Sequence, residues 1–169
     1  MPNRMLTSLA VRLNGRIYLF DAGEGTQINW KKGRIGVRGL GLIAITHLHA
    51  DHCLGIPGMI MLRAQMEEPA PLTILGPPGI GEFITQSQKT LEYQVNFPIH
   101  FIEWPGDKSG IAYQDDRRGS FGNRSNTPAF AWVTGSKNSK GRENSIPCGQ
   151  RNLGSPKGRS GANFSMGRV

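Results

Sequence analysis

An unbroken apolar run, Leu40 to Ile45, empties into the six residues His47-Leu-His-Ala-Asp-His52, and this junction constrains the chain more than any other stretch. An apolar run that does not alternate reads as a strand covered on both faces, so the residues after it are delivered to the lip of a buried sheet. Those residues are three imidazoles and a carboxylate, in a chain with only four histidines. In extended backbone alternate side chains share a face, so His47 and His49 can grip one cation while Asp51 and His52, at the start of the following turn, reach a second. Imidazole nitrogen and carboxylate oxygen suit zinc, with manganese or iron as rivals. Two ions about 3.5–4 Å apart acidify a bridging water and clamp the attacking and leaving oxygens of a displacement, the chemistry of phosphoester and amide hydrolases. The competing reading, ordinary polar residues of a loop, has to explain four ligand-type side chains in six positions.

Around this junction strand and helix signals alternate. Leu6 to Leu13 and Arg16 to Phe20 read as strands turned at Asn14-Gly15, a strong hairpin dipeptide. Asp21 to Gln27 is a glycine-rich turn that opens a helix through Trp30. Leu40 to Thr46 is the strand that delivers the ligands, Cys53 to Gln65 a helix despite Pro57, and Leu72 to Leu75 a short buried strand. Gly79 to Tyr93 reads as an amphipathic helix and Phe97 to Trp104 as a last strand. The pattern is α/β, built in layers, with no internal repeat.

The formal net charge of +8 over 169 residues invites a nucleic-acid reading. It is unevenly spread: residues 1–105 hold 9 Lys and Arg against 8 Asp and Glu, whereas 106–169 hold 11 against 4. The basic character belongs to the tail, which also holds 11 of the 23 glycines and shows no apolar period. Such a stretch buries too little surface to offset its chain entropy, so a folded domain over 1–105 and a disordered Gly/Ser/Arg-rich tail over 106–169 are expected. The tail's cations suit phosphates without sequence preference; the alternative is a solvated extension. Two cysteines, Cys53 and Cys148, offer no disulfide framework, and no signal peptide or long apolar span appears, which points to a soluble cytoplasmic setting without membrane contact.

His47-Leu-His-Ala-Asp-His52 resembles the His-x-His-x-Asp-His signature of the metallo-β-lactamase superfamily. Arg4 with Ser8, Leu19-Phe-Asp-Ala-Gly-Glu-Gly-Thr-Gln27, Ile45-Thr46 and Gly55-Ile-Pro-Gly58 resemble one branch of it, the tRNA 3′-processing endoribonuclease RNase Z. The Asp-x-Gly-Glu-Gly-Thr-Gln phrase separates this branch from lactamase-like and glyoxalase-like relatives. The resemblance covers about residues 1–105 and implies roughly the first half of an αβ/βα sandwich. It implies that His47 and His49 bind one zinc, that Asp51 and His52 bind another (Mn2+ being possible), and that Asp51 is the general base. Precursor tRNA would be the substrate and a homodimer the working form. Asp21 is either an orienter of a ligand histidine or a turn-stabilising residue before glycine; Glu24 and Thr26 are equally explained by the turn. His100 has no ligand spacing around it and reads as structural.

The resemblance also implies three further ligands, a His, an Asp and a His, from later in the chain, yet no histidine follows His100. Two protein ligands per ion hold zinc weakly, so the chain alone is expected to be a poor catalyst. Half a sandwich also leaves one sheet face uncovered, which favours association. Arg159 to Gly167 can be encoded so that regrouping one nucleotide earlier yields Pro-Leu-Trp-Gly-Lys-Leu-Gln-His-Gly, similar to the family's tRNA-gripping arm. Asn126 to Gly135 can likewise yield a His-Ser segment similar to the one that supplies a later ligand. A one-nucleotide slip between about Pro105 and Asn126, with an out-of-frame tail, is the resulting expectation. Three function classes remain: the endonuclease, another hydrolase of the superfamily, and a non-enzymatic remnant.

Overall fold

The computed structural model describes residues 6–107, 110–115 and 120–123, together with two-residue strands at 136–137, 143–144 and 166–167. The chain divides after Pro105 into two units, and the strand Met166–Gly167 groups with the first.

The first unit carries β1 (Ser8–Leu13), β2 (Arg16–Ala22), α1 (Thr26–Lys32), β3 (Leu40–Ala44), α2 (Ala50–Cys53), α3 (Ile56–Ala64), β4 (Leu72–Gly76), α4 (Ile80–Leu91) and β5 (Ile99–Glu103). β1 and β2 form an antiparallel hairpin whose turn residues Asn14 and Gly15 have φ of 49° and 79°, the paired left-handed geometry that suits a two-residue hairpin. β2, β3, β4 and β5 then run parallel, each step crossing through a helix, the arrangement βα alternation dictates.

The alternation of side chains across β2 and β3 divides the sheet. Ile17, Leu19, Ile43 and Ile45 join Trp30, Ile56, Met59, Ile60, Ile80 and Ile84 in one core beneath the helices. Tyr18, Phe20, Leu42, Ala44 and Leu75 are buried outside that core, with Tyr18, Leu42 and Leu75 at 0% exposure. The expectation of an uncovered face does not hold at these positions, whose side chains are buried.

Two differences from the sequence pattern have local causes. The helix expected over Cys53 to Gln65 is two helices, because Pro57 sits in the first turn of α3, where its missing N–H costs nothing. At the break the Gly55 N–H leaves the helix and donates to the Ala22 carbonyl at 2.7 Å. β2 extends to Ala22, past the expected start of the glycine turn, with a register shift between Ser8 and Leu9 and a φ of 52° at Asp21. The pleat is interrupted there, as at a bulge, which re-aims a side chain.

β6 (Gly110–Gln114) and β7 (Ser120–Asn123) pair as a hairpin in the second unit, so the stretch assigned to a disordered tail contains sheet. Ile111, Tyr113 and Phe121 are strand-forming types, and a short hairpin closes at little entropic cost. β8 (Ser136–Lys137) pairs with β9 (Glu143–Asn144), while β10 (Met166–Gly167) lies antiparallel to β1. The rest of the tail, and with it the out-of-frame expectation, lies outside the described residues. Among the described residues no helix is long and apolar enough to cross a membrane.

Candidate metal centre

The cluster forms where the carboxyl ends of β2 and β3 lie side by side, the end at which parallel sheets usually bind ligands. β3 stops at Ala44, and the chain continues through Thr46 and His47 to His49, which sits at the N-cap of α2 in extended conformation (φ −67°, ψ 145°). The His52 N–H donates to the His49 carbonyl at 2.9 Å, so the first turn of α2 ties the backbones at His49 and His52.

His47 sits at the centre of the group. Its ring centroid lies 4.5 Å from that of His49 and 4.1 Å from that of His52. Asp51, more than half exposed, places Oδ2 3.5 Å from His52 Nε2. The sequence expectation paired His47 with His49 and Asp51 with His52; in the structure these pairs are adjacent, and His47 approaches His52 as closely as His49. Asp21, only 6% exposed, puts Oδ2 2.9 Å from His52 Nδ1 and accepts the Thr46 backbone N–H at Oδ1 over 2.8 Å. His52 is thereby held through Nδ1 with Nε2 turned toward Asp51. A hydrogen bond on one ring nitrogen that frees the other is the usual support of a metal-bound imidazole.

Two glycines permit this approach. A Cβ on Gly23 would lie 2.4 Å from the Asp51 carbonyl oxygen, and one on Gly55 would lie 2.1 Å from that of Gly23. The β2 exit and the histidine-bearing loop therefore touch backbone to backbone. Cys53, beside the ligands and buried, places Sγ 3.7 Å from the Leu48 carbonyl oxygen. Burial, followed by the charges of Asp51 and Asp21, pushes its thiol pKa up, so Cys53 is a packed thiol and not a thiolate donor. His100 is exposed on β5, away from the cluster. Glu24 and Thr26 flank the glycine turn, and the Thr26 hydroxyl donates to the Gly23 carbonyl at 2.7 Å, a structural contact.

The donors suit a borderline cation in type: imidazole nitrogens and a carboxylate, with one imidazole braced from behind. In number they fall short. Among the described residues no group of three or more His, Cys, Asp or Glu side chains is arranged to hold one ion, whereas zinc takes four ligands, three of them from protein in catalytic sites.

Sequence reasoning gave Thr46, whose hydroxyl touches Asp21 and His47, no role of its own beyond its part in the Ile45-Thr46 phrase. It passed over Arg63, 1% exposed on α3. Arg63 donates from Nη1 to the Val37 carbonyl and from Nη2 to the Ala70 carbonyl, and lies 5.3 Å from the centre of the Phe97 ring. It ties the segments before β3 and before β4 to the core.

A parallel α/β layer with a histidine-aspartate cluster at its carboxyl edge is the metallo-β-lactamase type of fold, and solved structures of that type superpose on it. A crystal structure of human tRNase Z, short form, matches with a TM-score of 0.64 at 24% identity, covering 79% of this chain and 59% of that one. A diphosphatase of the PhnP family matches with a TM-score of 0.56 at 17% identity, over 79% of this chain and 50% of that one. In sequence the chain is similar to Ribonuclease Z of Treponema denticola, 40% identical over 99 residues, which is 59% of this chain and 32% of the relative. Ribonuclease Z of Agathobacter rectalis is 41% identical over 103 residues, 61% of this chain and 34% of the relative. The chain thus spans about a third of the length of these curated relatives. No family model matches the sequence.

Proposed function

We propose that this chain carries the first part of a metal-dependent endoribonuclease of the RNase Z type, which removes the 3′ trailer of tRNA precursors in the cytoplasm. The carrying observation is the convergence on His47, whose ring lies 4.5 Å from that of His49 and 4.1 Å from that of His52, with Asp51 beside His52, in a chain 40–41% identical over 99–103 residues to proteins named Ribonuclease Z. His47 and His49 would hold one zinc, Asp51 and His52 a second, with manganese as the substitute. Bound zinc lowers the pKa of a coordinated water to about 7 and so supplies hydroxide at neutral pH.

The chain's own residues do the rest. Asp21 orients His52 through Nδ1. Asp51, more than half exposed, would be the general base that orients the attacking water. The substrate is the phosphodiester 3′ of the discriminator nucleotide in precursor tRNA.

A second reading is favoured by the short ligand set among the described residues. On that reading this polypeptide holds metal weakly and cleaves poorly until further ligands are supplied from elsewhere. A precursor-tRNA cleavage assay with added zinc or manganese separates the readings. Metal-dependent product ending at the discriminator, lost in His47→Ala and His52→Ala, supports the nuclease; a thioester or lactam turned over while precursor tRNA is untouched overturns it. Equilibrium dialysis finding less than one zinc per chain favours the incomplete site.

A further inference from the structure

Thr46 is not a ligand type, yet its side chain reaches three of the groups at the cluster. Its hydroxyl oxygen lies 2.9 and 3.1 Å from the two oxygens of Asp21, 2.9 Å from His47 Nδ1 and 3.5 Å from His52 Nδ1. A hydroxyl has one proton to give, and a carboxylate has none. The Thr46 proton therefore points to Asp21. The lone pair left on the hydroxyl faces His47 Nδ1, which must carry a hydrogen to satisfy the contact. His52 Nδ1, 2.9 Å from Asp21 Oδ2, makes the shorter of its two contacts with the carboxylate and donates there directly.

We propose that Thr46 is a positioning residue that extends one carboxylate to two histidines: Asp21 fixes His52 directly and His47 through the Thr46 hydroxyl. Both rings then keep their hydrogen on Nδ1 and present a lone pair at Nε2. The geometry is rigid for two reasons. The Thr46 backbone N–H is itself tied to Asp21 Oδ1 at 2.8 Å, and a β-branched side chain has few χ1 choices. Asp21 reaches this position because the register shift at the end of β2 turns its side chain toward Thr46. The relay is a statement about tautomers. Its consequence for metal affinity rests on the nuclease reading above.

The test is a long-range 1H–15N correlation spectrum of the full chain, metal-free and 15N-labelled at histidine, recorded over a pH series and read where the ring shifts no longer change on further raising the pH. In the wild type His47 and His52 should both appear protonated at Nδ1. Thr46→Val, which keeps the shape and removes the hydroxyl, should shift His47 toward the Nε2–H form and leave His52 unchanged; Thr46→Ser should restore His47. Zinc affinity, measured by chelator competition, should fall about 10-fold in Thr46→Val and recover in Thr46→Ser. His47 protonated at Nε2 in the wild type, or held at Nδ1 in Thr46→Val, overturns the proposal, and the wild-type spectrum decides even if Thr46→Val does not fold. Equal shifts at both rings would mark a merely structural role and also overturn it. Tautomers as stated in a chain that binds no zinc would support the relay and count against the metal reading alone.

Discussion

Gly55 is where the segment carrying His49, Asp51 and His52 meets the strand that carries Asp21, and its replacement by alanine has a calculable sign. Its backbone is ordinary right-handed helix, φ −78° and ψ −9°, so alanine meets no conformational penalty. Through reduced freedom of the unfolded chain alone, the change would stabilise by about 0.4–1 kcal/mol. Against this, the added Cβ would lie 2.1 Å from the Gly23 carbonyl oxygen and 2.8 Å from that of Ala22, when carbon and oxygen normally stop at about 3.3 Å. Both obstacles are backbone, fixed by the 2.7 Å bond from the Gly55 N–H to Ala22, and no rotamer change relieves them. Overpacking costs about 1–3 kcal/mol. With nothing flexible to yield, the upper figure applies and the net loss is about 2 kcal/mol. Urea unfolding followed by the fluorescence of buried Trp30 should show the midpoint falling by about 1 M or more with m unchanged. Gly41→Ala is the control: its Cβ would meet Arg16 Nε at the end of a flexible side chain, so its loss should stay under about 1 kcal/mol. A Gly55→Ala midpoint at or above that of the wild type would refute the backbone-contact argument.

Replacing Arg63 with Lys leaves a point donor where a planar fork bridges the Val37 and Ala70 carbonyls; about 2–3 kcal/mol should be lost in a thermal melt, and unchanged stability would count against the bridging role. Cys53, whose folded pKa is raised, binds its proton more tightly in the native state than in the unfolded chain, so stability should fall as pH climbs past the free thiol's value near 8.5. Cys53→Ala should flatten that slope in melts taken from pH 7 to 10; an identical slope would show that the thiol does not contribute. Under native conditions Cys53 should also react with a thiol reagent at least about 10-fold more slowly than in denaturant. Zinc at about 100 times its dissociation constant should add about 2.7 kcal/mol, and a wild-type melting shift matched by His52→Ala would remove His52 from the ligand set.

What the sequence determined by itself was the local and the periodic. The apolar run of Leu40 to Ile45 required a strand buried on both faces. Asn14-Gly15 required a hairpin, and the alternation of strand and helix required parallel crossovers; each signal is carried by neighbours in sequence and survives without knowledge of the partner. His47, His49, Asp51 and His52 were visible as candidates for the same reason, since they lie within six positions. Tertiary structure alone decided which of them approach one another and what stands behind them. Asp21 and His52 are 31 residues apart, and their 2.9 Å contact exists only because β2 lies beside β3, the Asp21 backbone turns out of the pleat, and two glycines let the β2 exit touch the histidine-bearing loop. The break between α2 and α3, the fork of Arg63 between two loops, and the shielding of Tyr18, Leu42 and Leu75 are likewise settled by packing. Periodicity states which side of an element is apolar, and only the neighbouring element states what that side meets.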